Sequence, residues 1–112
     1  MSTTVQKQVL INARALVTDR AHWTSGMLAC TSNGRLVEWD DRSAAKWCAL
    51  GALYRAAYDL VADRNEAIRI GDQLAMSISP PRWLRGGLPA KNDGRDGHTV
   101  VLGLFDKALA AA

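Results

Sequence analysis

Between residues 4 and 18 the apolar positions Val5, Val9, Ala13, Leu16 and Val17 recur at the spacing of one helix face, with Gln6, Lys7, Asn12 and Arg14 away from it. This pattern predicts an amphipathic helix capped by Ser2, Thr3 or Thr4 and ending near Asp19. The pattern then changes. Two short runs, Met27 to Cys30 and Arg35 to Trp39, flank Ser32-Asn33-Gly34, whose Asn-Gly pair suits the positive φ angles of a tight turn. A small β-hairpin is expected there, lying against helices because two strands alone are only marginally stable.

From about residue 43 to 62 a second helix is expected, with Asp41 or Ser43 as its cap. Its apolar residues, among them Trp47, Cys48, Leu50, Leu53, Tyr54, Ala57, Leu60 and Val61, cover most of the circumference, so it has to be surrounded. Gly51 lowers helix propensity by about 1 kcal/mol, a cost that a close backbone approach by a neighbour would offset. Residues 65 to 78 carry Ala67, Ile70, Leu74, Ala75 and Ile78 on one face, and Ser79-Pro80-Pro81 ends this third helix. The stretch from Pro80 to Gly97 is rich in proline and glycine and reads as a long loop. A last helix begins near Gly97-His98-Thr99, with Val101, Leu104, Phe105, Ala108 and Leu109 on its apolar face. The expected fold is therefore mostly α: a single domain over residues 1–112, four helices around a buried central one, and a small β-hairpin between the first and second helices.

Composition narrows the partners. With 48% hydrophobic and 22% charged residues the chain has the balance of an ordinary globular domain. The net charge of +3 comes from arginines spread along the chain and interleaved with Asp19, Asp40, Asp41, Asp63 and Asp72, with no basic block, so nucleic acid is not expected. Arg55 and Asp59 interrupt the most apolar run, which excludes a membrane span there. Cys30 and Cys48 follow a polar N-terminal stretch without an apolar leader, so a reduced, cytoplasmic setting is expected.

The sharpest chemical candidate pairs Cys48 with His98, oriented by Asp93, Asn92 or Asp96, in the manner of a thiol nucleophile with a later histidine. Against it, a helix starting at Ser43 would place Cys48 in the second turn, past the reach of the helix dipole, and its neighbours Trp47, Ala49 and Leu50 would keep the thiol protonated. The buried, inert reading of Cys48 is preferred. No metal site is expected, since Cys30, Cys48, His22 and His98 lack ligand spacing. No cofactor is expected either, because Arg85-Gly86-Gly87 has no preceding strand and no following Lys-Ser/Thr. Asp40-Asp41 reads as a cap and Asn92-Asp93-Gly94 as a turn. Trp23, Trp39 and Trp47 read as core anchors. Trp83, between Arg82 and Arg85 in an irregular segment, is the bulky residue expected to be exposed, and Trp with Arg is the pairing enriched at binding hot spots.

These residues also carry a resemblance. Trp23-Thr24-x-Gly26, Asn33-Gly34-Arg35-x-Val37, the run Trp47-Cys48-Ala49-Leu50-Gly51-Ala52-Leu53, Asn92-Asp93, His98 and Leu104-Phe105-Asp106-Lys107-Ala108 are similar to a small uncharacterised bacterial and phage family of unknown function. Lys91 departs from that pattern, which places an aromatic residue before the Asn-Asp pair. The resemblance supplies no activity, but it implies that Cys48, Asn92, Asp93 and His98 lie close together, as a catalytic cluster or as a buried polar network. The functional expectation is a cytoplasmic binding module from a mobile element, acting on a protein partner or on itself through Arg82, Trp83 and Arg85. The alternative is a cysteine-dependent hydrolase or transferase using Cys48 and His98.

Overall fold

The structure, a computed structural model, describes residues 3–79 and 86–112. Arg82, Trp83 and Arg85 lie outside the described residues. Along the chain come α1 (Thr3–Val17), a single 3-10 turn (Arg20–His22), β1 (Ala29–Cys30), β2 (Lys46–Trp47), α2 (Ala49–Val61), α3 (Arg64–Ile78), α4 (Gly87–Asp93) and α5 (Gly97–Ala111). The mostly helical fold agrees with the sequence pattern, but the described residues form five α-helices where four were expected.

The added helix is α4, inside the stretch read as a long loop. Gly86, at φ 78°, turns the chain into it, and Pro89 falls in its first turn, where a missing backbone N–H is no loss. Leu88 and Asn92 are the buried side chains it carries inward.

The apolar faces of α1, α3 and α5 are those of the sequence pattern. Val9, Ala13 and Val17 are buried on α1, Ala67, Ile70 and Leu74 on α3, and Val101 and Phe105 on α5. Between them runs α2, buried from Ala49 to Tyr54 and again at Ala56 and Ala57. Its last turn leaves the core: Leu60 is 44% exposed, so the helix is not sheathed over its whole length. Ala62, in the left-handed region at φ 56°, reverses the chain, and Asp63 then caps α3 by accepting a hydrogen bond from the Glu66 N–H. Two glycines bring backbones close. A Cβ on Gly71 would strike the Tyr54 ring, and one on Gly51 would overlap the Leu28 carbonyl, the close approach that the sequence suggested for Gly51.

The hairpin is corrected. Its tight turn exists: Gly34 has φ 89° and donates to the Thr31 carbonyl at 2.9 Å, and the Thr31 N–H donates to Arg35. Beyond one isolated bridge between Cys30 and Leu36, however, the strand that pairs with β1 is β2, antiparallel, with Ala29 opposite Trp47. Lys46 and Trp47 are therefore extended, and α2 begins six residues later than expected. Asp41 closes a turn instead of a helix, accepting from the Ser43 N–H at 2.8 Å and the Ser43 hydroxyl at 2.6 Å, donors that hold its carboxyl below the usual range. Its neighbour Asp40 pairs with Arg64 at 3.1 Å. Trp39 and Trp47 are core anchors as expected, and Trp23 is half-buried against the core.

Among the described residues, no helix is long and apolar enough to cross a membrane.

Candidate functional site

The late start of α2 changes the position of Cys48. It is the N-cap residue, with extended backbone, and its sulfur accepts a hydrogen bond from the Gly51 N–H at 3.3 Å. The second-turn placement expected from the sequence is overturned, because residues 44–47 are used for β pairing and turns. A buried helix start has to satisfy N–H groups that have no partner inside the helix. Here the Cys48 N–H donates to the Leu28 carbonyl at 3.2 Å, and the Ala49 N–H donates to the Asn92 side-chain oxygen at 2.9 Å.

Asn92 is fully buried and uses all its hydrogen-bonding capacity. Its Oδ1 accepts from the Trp23 indole N–H at 2.8 Å as well as from Ala49, and its Nδ2 donates to the Thr24 carbonyl and to the Asp93 carboxylate, each at 3.0 Å. Two donors on one side and two acceptors on the other fix the amide's orientation. The same Asp93 oxygen accepts from the Gly26 N–H at 2.9 Å. One residue of α4 thus closes the start of α2 and ties it to the segment after the 3-10 turn.

His98 takes the neighbouring place. It is buried in the first turn of α5, its ring 5.5 Å from that of Trp23, and its Nε2 lies 2.7 Å from the Val17 carbonyl. A carbonyl only accepts, so Nε2 carries the proton and donates to one of the last carbonyls of α1. Gly97 makes this fit possible, since a Cβ there would overlap the Asn92 carbonyl. Arg14 and Asp106 join α1 to α5 again at 2.5 Å on the surface.

Cys48, Asn92, Asp93 and His98 are therefore gathered around Trp23 and the start of α2. Asp96 is the exposed N-cap of α5, and the structure gives its side chain no capping hydrogen bond. Burial pushes the Cys48 thiol up from its ordinary value; the Gly51 and Leu50 N–H groups pull it down, while the Asp93 charge pushes it further up. Cys48 borders a cleft of about 340 Å³ lined also by Met27, Leu28, Leu50, Tyr54, Pro89 and Asp93, and is itself only 5% exposed. Both cysteines are free thiols. Among the described residues, no three His, Cys, Asp or Glu side chains come together as a metal site, and no buried side-chain nitrogen or oxygen lacks a partner.

Sequence reasoning assigned Trp23 and Gly97 no part in this cluster. The Trp-Thr-x-Gly motif at residues 23–26 was the available signal: the Trp23 indole, the Thr24 carbonyl and the Gly26 N–H are its contacts with Asn92 and Asp93.

The chain belongs to a family of unknown function (DUF6197), which it matches over residues 1–111. No curated protein and no solved structure matches it.

Proposed function

We propose that this protein is a small binding module and that Cys48, Asn92, Asp93 and His98 are its internal fastening, not a catalytic set. What supports this reading is the use made of the donors around the sulfur. A thiol hydrolase needs a base on the nucleophile and free N–H groups for the developing oxyanion. Here the Cys48 N–H is given to Leu28, the Ala49 N–H to Asn92, and the His98 proton to Val17. Recognition is assigned to Arg82, Trp83 and Arg85 on sequence grounds, with a protein partner or a second copy as the ligand.

The second reading, a cysteine-dependent hydrolase or transferase, is favoured by one observation: Cys48 is a helix N-cap bordering a cleft that Asp93 also lines. Alkylation of the folded protein with iodoacetamide at neutral pH separates the two. The fastening reading expects Cys48 to be modified no faster than Cys30, and much faster labelling of Cys48 would overturn it. For the binding assignment, Trp83→Ala should weaken oligomer formation or partner binding with the melting temperature nearly unchanged, and a large loss of stability would put Trp83 in the core instead.

A further inference from the structure

A groove beside β2 shares no lining residue with the Cys48 cleft and takes no part in the Asn92 hydrogen-bond cluster. Ile11, Asn12, Ala15 and Leu16 form one stripe along α1. Between this stripe, the 3-10 turn and β2 is a depression of about 700 Å³ whose apolar lining is Ala15, Leu16, Ala21, Ala45 and Trp47. The same Ala15 and Leu16 carry it on into a second depression of about 320 Å³ against Ala56 and Asp59 of α2. Ile11, 41% exposed, flanks it one turn away.

We infer that this groove receives an amphipathic helix of a partner protein, with the acidic, C-terminal end of that helix against Lys46. The shape favours a helix over a strand. β2 has no open edge, because β1 pairs with one side and on the other the Thr24 N–H donates to the Trp47 carbonyl at 3.1 Å. The alanine side chains, in contrast, let a helix backbone come as near as the roughly 8–10 Å between packed helix axes. The charge sets the direction. Lys46 lines the first depression and makes no ion pair among the described residues. Arg55 lies 5.6 Å over the Trp47 ring, and it already neutralises Asp59 at the other end, 3.3 Å away. Asp19, whose carboxylate accepts from the Ala21 N–H, has Arg20 beside it in sequence, so the uncompensated charge at the groove is that of Lys46, which attracts the negative end of a helix dipole and acidic side chains in its last turn.

The test uses two synthetic Leu/Ala-rich helical peptides of about 16 residues and equal composition, one with Glu in its last turn and Lys in its first, the other reversed. With the full ¹⁵N-labelled chain, the peptide ending in Glu should shift the amides of Ala15, Leu16, Ala45, Lys46 and Trp47 and bind about fivefold tighter than its reverse. Lys46→Glu should invert that order. Ala15→Glu, on an exposed position, should abolish the shifts without changing the melting temperature, and Trp83→Ala should leave them intact, which separates this surface from the one proposed above. Equal affinity for the two peptides, shifts elsewhere on the chain, or indifference to Ala15→Glu would overturn the inference. So would a dimer of the chain alone that Ala15→Glu dissociates, since a second copy would then be the occupant.

Discussion

The two halves of α2 are held by different forces. From Ala52 to Ala57 the buried face of the helix packs against aliphatic side chains of α1 and α3, and apart from the Tyr54 hydroxyl, which donates to Asp72, the contact is a matter of volume. From Cys48 to Gly51 it is held by hydrogen bonds to Leu28, twenty positions back, and to Asn92, forty-three positions on from Ala49, and by a carbonyl pressed against a glycine. A volume can be refilled by other apolar side chains at modest cost, whereas a closed set of donors and acceptors tolerates almost no substitution. The polar half is thus the more demanding one, although it contains fewer residues.

The largest expected effect follows from removing the residue that closes this polar half. Asn92→Ala leaves the Trp23 and Ala49 donors and the Thr24 carbonyl without their partner, and the loss of unfolding free energy should be about 3 kcal/mol or more, read by urea denaturation. Leu53→Ala, in the aliphatic half, should fall in the same range of about 2–5 kcal/mol, but a larger apolar side chain such as methionine should restore most of it, while Asp at position 92 should not rescue Asn92. If Asn92→Ala costs less than about 1 kcal/mol, water replaces the amide and the distinction between the halves fails.

Next in size is Gly51→Ala. On an open helix this change would stabilise, yet here the added methyl meets the Leu28 carbonyl, so a loss of about 2 kcal/mol is expected in the same measurement. A gain in stability would mean that the segment before β1 yields freely.

The smallest effect concerns pH. Because burial raises the Cys48 thiol, the folded state keeps its proton when the unfolded chain has begun to lose it. The thiol's contribution is fully present below the ordinary thiol value of about 8.5 and declines as pH rises above it. The melting temperature should therefore fall more steeply from about pH 8 to about pH 10 in the native protein than in Cys48→Ala. Parallel curves would place the sulfur in contact with water.

The aliphatic half was legible in the sequence and the polar half was not. Val5, Val9 and Ala13, or Ala67, Ile70 and Leu74, repeat at helical spacing because each faces one core, and such repetition is visible in a single chain. The start of α2 was misplaced because Ala44-Ala45-Lys46-Trp47 has ordinary helix propensity and Asp41 and Ser43 are ordinary capping residues. Pairing with Ala29 and Cys30, a contact distant in sequence, overrode both. In the same way Pro89 and three flanking glycines concealed α4, whose burial of Leu88 and Asn92 has no period to betray it. His98 and Asn92 were singled out by their chemistry, as partners for a thiol earlier in the chain, and only the resemblance of motifs implied that they lie beside it, since a lone buried amide carries no pattern.

The bonds from Asn92 to Trp23 and Ala49, and from His98 to Val17, span 69, 43 and 81 positions of sequence. During synthesis α1, α2 and α3 can leave the ribosome and meet while the N–H groups at the start of α2 still face water. Only when residues 92–98 emerge does that end dry out, so a nascent chain stalled before them would present to chaperones the start of α2, whose Cys48 and Trp47 the completed protein buries.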